Sequence, residues 1–244
     1  MTCSYSYFSK LDIKALLICG GLRFFQDGTQ VTSNECYIVD KYSSRLFATM
    51  SKKRGFAASL ITNENNLWVT GGSEYDEIFS STEYILENGE SIEGPNLPRA
   101  IAAHTVVGIN STFSMFIGGF ISGLFALDLT YYYDNYNQVW FDGPRLNFPR
   151  SFHGSGIVTD LITRERLLIV TGGQGYDQDY IMTDYSSTEI LIDGAWVLGN
   201  KKAGIFTSMD MQTRNFHLIF LFQAQIYQEL LVLIKCLNMV TPFF

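Results

Sequence analysis

The chain has 244 residues, of which 47% are hydrophobic, 15% aromatic and only 17% charged. That composition supports a sizeable core and excludes a disordered polypeptide, since an ordinary globular domain carries roughly 25% charged residues. The net charge is −7 and no basic run exceeds Lys52-Lys53-Arg54. A nucleic-acid binder is therefore excluded: no cationic surface exists from which phosphate contacts could release counterions.

The N-terminal segment, Met1 to Lys10, has neither the basic nor the apolar stretch of a signal peptide. It holds one short strand, Cys3 to Phe8. An apolar run then ends in a glycine doublet, Leu16-Leu17-Ile18-Cys19-Gly20-Gly21. The same device recurs at Leu67-Trp68-Val69-Thr70-Gly71-Gly72, at Phe113 to Ile117 followed by Gly118-Gly119, and at Leu168-Ile169-Val170-Thr171-Gly172-Gly173. The first glycines lie 51, 47 and 54 residues apart. Ahead of three doublets stands an arginine followed by small or aromatic residues: Arg54-Gly55-Phe56, Arg99-Ala100-Ile101 and Arg150-Ser151-Phe152. After each doublet comes a second strand: Glu35-Cys36-Tyr37, Glu83-Tyr84-Ile85, Leu124-Phe125-Ala126 and Glu189-Ile190-Leu191. Ser80 to Glu83 and Ser186 to Glu189 repeat Ser-Ser-Thr-Glu verbatim. Trp140 and Trp196 follow in phase, and Gly94-Pro95 and Gly143-Pro144 turns lead toward the next arginine.

A period near 50 with these phased features resembles the kelch repeat, in which each repeat is one four-stranded blade. The resemblance implies an all-β, kelch-type β-propeller. Its blades would span roughly 3–50, 54–92, 99–141 and 150–198, with a partial fifth at 202–222 and a non-repeat apolar tail at 223–244. Gly20, Gly21, Gly71, Gly72, Gly118, Gly119, Gly172, Gly173, Trp140 and Trp196 would be its structural residues. Six blades at this period need about 300 residues. The expectation is an open or truncated ring whose unpaired blade faces favour self-association.

The loops after the second strands are long and aromatic, and such loops on a rigid scaffold carry recognition. The candidate binding residues are Arg23, Phe24, Tyr75, Asp76, Phe79, Arg99, Arg150, Tyr176, Asp177 and Tyr180. The arginines have a competing structural role between blades. The expected partner is a protein or peptide, as in the substrate-receptor part of kelch-like adaptors of ubiquitin ligases. No cofactor and no metal are expected: there is no C-x-x-C and there are only three histidines. The copper oxidase of this family needs two histidines, two tyrosines and a cysteine around its metal, and that set is not patterned here, so no enzyme is expected. No membrane span is expected. Three alternatives stand beside the adaptor reading: a secreted kelch protein, a galactose-oxidase-like enzyme, and a fragment without independent function. Cys19 and Cys36 fall in neighbouring strands of one blade, which allows either a disulfide or two ordinary buried cysteines. Asn110-Ser111-Thr112 forms a glycosylation sequon in the turn before the third doublet.

Overall fold

A computed structural model describes residues 2–8, 13–39, 43–122, 125–159, 163–176, 181–199, 206–209 and 216–219. The first sheet runs β1 (Thr2–Phe8), β2 (Ile13–Cys19), β5 (Glu35–Val39) and β6 (Ser44–Thr49). A short ribbon of β3 (Leu22–Phe24) and β4 (Gln30–Thr32) projects between β2 and β5. The second sheet is β7 (Ala58–Ile61), β8 (Leu67–Thr70), β11 (Thr82–Ile85) and β12 (Ser91–Gly94), with the ribbon β9 (Ser73–Glu74) and β10 (Glu77–Ile78). The third is β13 (Thr105–Gly108), β14 (Phe113–Ile117), β17 (Thr130–Asp134) and β18 (Val139–Asp142), with the ribbon β15 (Phe120–Ile121) and β16 (Phe125–Ala126). The fourth is β19 (Gly154–Thr159), β20 (Arg166–Thr171), β23 (Thr188–Ile192) and β24 (Ala195–Leu198), with the ribbon β21 (Gln174–Tyr176) and β22 (Met182–Asp184). A last pair joins β25 (Phe206–Met209) to β26 (Phe216–Ile219). All pairings are antiparallel, and the described residues contain no α-helix.

Two compact units divide the described residues, one before Ile101 and one from Ile101 onward. The first unit's core is Leu17, Ile38, Met50, Leu67, Val69 and Ile85 around Cys19 and Cys36. The second unit's core joins Val107, Met115 and Ile117 to Leu168, Val170 and Trp196. Second strands are buried on both faces, as the all-buried Leu67-Trp68-Val69-Thr70 shows, and this is why they read as continuous apolar runs.

Each doublet directly follows a second strand because two turns of backbone meet there. Both glycines adopt φ between 57° and 103° in all four copies. A Cβ on Gly118 would sit 2.5 Å from the Arg150 carbonyl oxygen, and one on Gly20 2.4 Å from that of Arg54. The amides of Gly21 and Gly119 donate to the same two carbonyls. Only glycine allows both the left-handed turn and that approach.

The sheet register makes position-by-position comparison possible and corrects two readings. The third copy's downstream strand is not Leu124 to Leu127. Phe125-Ala126 belongs to a ribbon, and the third strand is Thr130-Tyr131-Tyr132-Tyr133-Asp134. Arg99 is also out of phase. Gly55, Ala102 and Ser151 make the equivalent bridges to Ser73, Phe120 and Gln174, and the residues after them, Phe56, Ala103 and Phe152, all have φ between 51° and 57°. Ile101 therefore occupies the position of Arg54 and Arg150, and Arg99 is exposed two residues upstream.

Cys19 and Cys36 are direct partners in β2 and β5, with Cα atoms 4.0 Å apart and their sulfurs bonded. The Gly20 amide donates to the Glu35 carbonyl, so the pair sits between ladder bonds, where opposing side chains come closest. The same register position holds Thr70 opposite Thr82, Ile117 opposite Thr130, and Thr171 opposite Thr188. The bridge spans 17 residues. Its reduction is expected to lower unfolding free energy by about 3 kcal/mol through loop-closure entropy. Urea midpoints with and without reductant check this, and identical midpoints would contradict it.

Candidate functional site

Each ribbon is fastened at its base by one recurring bond. The amides of Ser33, Phe79, Leu127 and Tyr185 donate to the carbonyls of Gly21, Gly72, Gly119 and Gly173. The doublet thus turns the chain out of the blade and takes it back, with the intervening hairpin buried at its base and exposed at its tip. Sequence reading saw these segments as loops and did not foresee the paired ribbons.

In the second unit β16 packs beside β21, and the rings of Phe125 and Tyr176 meet at 5.9 Å between centroids. Met182 lies opposite Tyr176 in the β21–β22 ladder. Phe125 is 53% exposed, Ile181 62% and Met182 44%. Inside the ribbon the Gln174 amide donates to Asp184 at 2.9 Å, which holds the hairpin without using the apolar side chains. Phe125 and Met182, both exposed, thus flank the half-buried Tyr176 on adjacent ribbons, and Ile181 is exposed next to Met182 in the chain. Of these only Tyr176 was singled out from sequence. Phe125 was hidden by the misplaced strand, and Ile181 and Met182 carry no repeat signal.

In the first unit the β3–β4 ribbon exposes Arg23, Phe24, Phe25 and Val31. Its turn is held by Asp27, whose Oδ1 accepts from the Thr29 amide and hydroxyl; these bonds hold its carboxyl below the ordinary range. Tyr75, 78% exposed and at φ 50°, stands with Asp76 at the tip of the β9–β10 ribbon. Asp177 and Tyr180 lie outside the described residues.

Two of the candidate binding residues are misplaced by sequence reading. Phe79 is buried, with Lys52 and Arg54 over its ring at 4.5 and 5.3 Å. Arg150 is fully buried and belongs to a structural cluster. Its Nε donates to Glu189 at 3.0 Å, its Nη1 to the Gly172 and Ser187 carbonyls, and its Nη2 to the Ser187 hydroxyl at 2.7 Å. Glu189 also accepts from the Asn147 amide and side chain. Arg54 repeats the arrangement with Glu83, Gly71 and Ser81. The verbatim Ser-Ser-Thr-Glu is thereby explained: serine supplies a carbonyl and a hydroxyl, glutamate the counter-charge. Every guanidinium donor is used inside the protein, so neither arginine reaches a partner.

His104 and His153 are buried behind the doublets, with their Cβ atoms 2.8 Å from where Gly119 and Gly173 would carry a side chain. His153 Nε2 shares a hydrogen bond of 3.0 Å with the Thr105 hydroxyl. Among the described residues no group of three His, Cys, Asp or Glu side chains assembles for a metal, and no helix is long and apolar enough to cross a membrane. At the end of the second unit's blades remote from the ribbons, Ile109, Tyr132, Ile157, Leu168 and Leu191 line a shallow cleft of about 160 Å³ with Arg166. Burial there raises the Tyr132 phenol above its ordinary range.

No family model and no curated protein matches the chain. Among solved structures the chain is similar to one titled "Structure of YjhT", with a TM-score of 0.65 and 13% identity over 78% of this chain and 69% of that one. A likeness at that identity carries the fold alone. With the four-stranded antiparallel meanders, it establishes an all-β, β-propeller-like fold.

Proposed function

We propose that the chain is a kelch-type interaction module that presents its ribbons to a protein or peptide partner, without catalysis. The observation that carries this reading is the apolar group of exposed Phe125 and Met182 about the half-buried Tyr176 on two adjacent ribbons. Large aromatic and methionine side chains on rigid supports bury much area at little entropic cost, and such residues dominate binding energy at interfaces. The doublet bonds supply the rigidity. Substituting Phe125→Ser and Met182→Ser together tests the reading. Affinity for a partner captured by the wild-type chain, measured with the two purified proteins, is expected to fall at least tenfold, roughly the loss of one hot-spot anchor. Thermal stability is expected to hold, because surface changes cost about 0.5 kcal/mol or less. A stable variant with unaltered affinity for every such partner would remove this surface from consideration.

The bonded Cys19–Cys36 pair favours a second reading, in which the module works in an oxidising compartment. Disulfides persist in secreted and extracellular proteins and are rare where thiols are kept reduced. Both readings share the ribbons as the binding surface and differ in where the partner is met.

A further inference from the structure

We propose that Asn110 is the acceptor for an N-linked glycan; the proposal rests on the oxidising-compartment reading above. Asn110-Ser111-Thr112 is the one Asn-x-Ser/Thr sequence in the chain. It forms the turn between β13 and β14, and all three residues are exposed. Asn110 Oδ1 accepts from the amides of Thr112 and Phe113, both at 2.8 Å. The turn is closed by the Ile109 and Asn110 amides donating to the Phe113 carbonyl. These bonds use the side-chain oxygen and leave Nδ2 free in solvent. Four other asparagines of the fold differ. Asn34 Nδ2 donates to the Met50 carbonyl, Asn135 to that of Ser111, Asn137 to Asp134, and Asn147 to Glu189 and the Trp196 carbonyl. A sugar on any of those would break a bond. At Asn110 the amide carbonyl survives glycosylation, so the turn keeps its contacts and no packed side chain is displaced.

The chemistry is a transfer from a lipid-pyrophosphate-linked oligosaccharide. Nδ2 attacks the anomeric carbon, a C–N bond forms, and the bond from that carbon to the pyrophosphate oxygen breaks. The lipid pyrophosphate leaves with the electron pair, and Nδ2 gives one proton to a base. The turn lies at the opposite end of β14 from Gly118-Gly119, where the β15–β16 ribbon departs. A glycan there shares its end of the blade with the Ile109 cleft and leaves the ribbons of that unit uncovered.

Translation of the full chain behind a cleavable secretory leader, in the presence of microsomes, tests the site. The protease-protected wild-type chain is expected to show one mobility shift removed by peptide N-glycosidase. Asn110→Gln and Thr112→Ala should lose the shift, and Thr112→Ser should keep it. The assay reads the translocated chain, so a folding defect in a variant does not mask the result. A protected wild-type chain without a shift, or a shift that survives Asn110→Gln, overturns the proposal. Intact mass of the chain isolated from its natural source separates the two layers. A glycan on Asn110 with an oxidised Cys19–Cys36 pair supports both. An oxidised pair with bare Asn110 overturns the glycan and leaves the compartment reading standing. Free thiols at both cysteines with bare Asn110 overturn both.

Discussion

Replacing Arg150 with isoleucine is expected to cost on the order of 3–5 kcal/mol, the loss found when one partner of a buried ion pair is removed. The guanidinium and the Glu189 carboxylate are both 0% exposed and 2.9 Å apart. Burial pulls the Arg150 pKa down and the Glu189 charge pushes back, but a guanidinium stays protonated in proteins. Removing it strands the carboxylate and takes the donor from the buried Gly172 carbonyl, an acceptor that costs about 1–3 kcal/mol unsatisfied, while the Ser187 carbonyl keeps only the Gly172 amide. The third blade shows the alternative solution. It has Ile101 and Tyr131, both buried, where the fourth has Arg150 and Glu189. A matched apolar pair can replace an ion pair at little net cost. The double variant Arg150→Ile with Glu189→Tyr is therefore expected to recover about 2 kcal/mol over the sum of the single changes, read as coupling in a double-mutant cycle of urea midpoints. Recovery will be incomplete, because Glu189 also holds the Asn147 amide. Additive single effects would show that the two positions do not act as a pair.

The blade architecture was legible because glycine doublets are dictated by backbone geometry and cannot drift. Both positions need positive φ, and the next segment's carbonyl lies within 3 Å of where a Cβ would be. The arginine position was only partly legible. Its backbone requirement, a left-handed residue two places on, is met by Phe56, Ala103 and Phe152, which share no side-chain signature. Arg99 was close enough in sequence to be mistaken for the third copy. The true equivalent, Ile101, had lost its charge together with the glutamate of its blade. A paired reading of arginine with Ser-Ser-Thr-Glu, present together in two copies and absent together in the third, would have identified both the cluster and the exception.

The candidate site was less legible for a different reason. Phe125, Ile181 and Met182 owe their exposure to ribbons of two or three residues per strand, too short for an alternating pattern to emerge. Some aromatic residues of this chain build core, as Trp68 and Tyr133 do. Composition alone cannot separate those from Phe24 and Tyr75 at ribbon tips. Only the register, which places Met182 across from Tyr176, and the ring contact of Tyr176 with Phe125 bring these three groups together.

Acidification from pH 7 to pH 5 is expected to remove about 4 kcal/mol of stability, through two histidines. Burial holds His104 at a pKa of about 4. Burial, followed by the charges of Arg150 and His104, holds His153 at about 3. In the unfolded chain both titrate near 6.5. Their folded values are depressed, so the stability they confer is complete above about pH 6.5. Below that the unfolded chain binds protons that the folded chain refuses, and the stability drains away until pH approaches 4 and then 3. Each group then contributes about 2 kcal/mol over the two units below neutrality, at about 1.4 kcal/mol per unit once the unfolded form is protonated. Three hydrogen-bonded carboxylates titrate below this window. Asp27 and Asp134 are held below their ordinary values by hydrogen bonds. For Glu83, burial raises the pKa but bonds from Ser51, Ser91 and Arg54 lower it further. All three lose their contribution as pH falls through the ordinary carboxylate range and below it, beneath the histidine window. The variant His153→Gln cannot titrate, and its amide can still meet the Thr105 hydroxyl that His153 Nε2 now contacts. Its own stability at pH 7 will differ from wild type, but the difference between pH 7 and pH 5 should halve, to about 2 kcal/mol. Urea unfolding of both proteins at the two pH values measures it. A wild-type midpoint unchanged between pH 7 and pH 5 would mean that the two imidazoles are not buried neutral in the folded protein, and that the doublets they back onto are packed against something else.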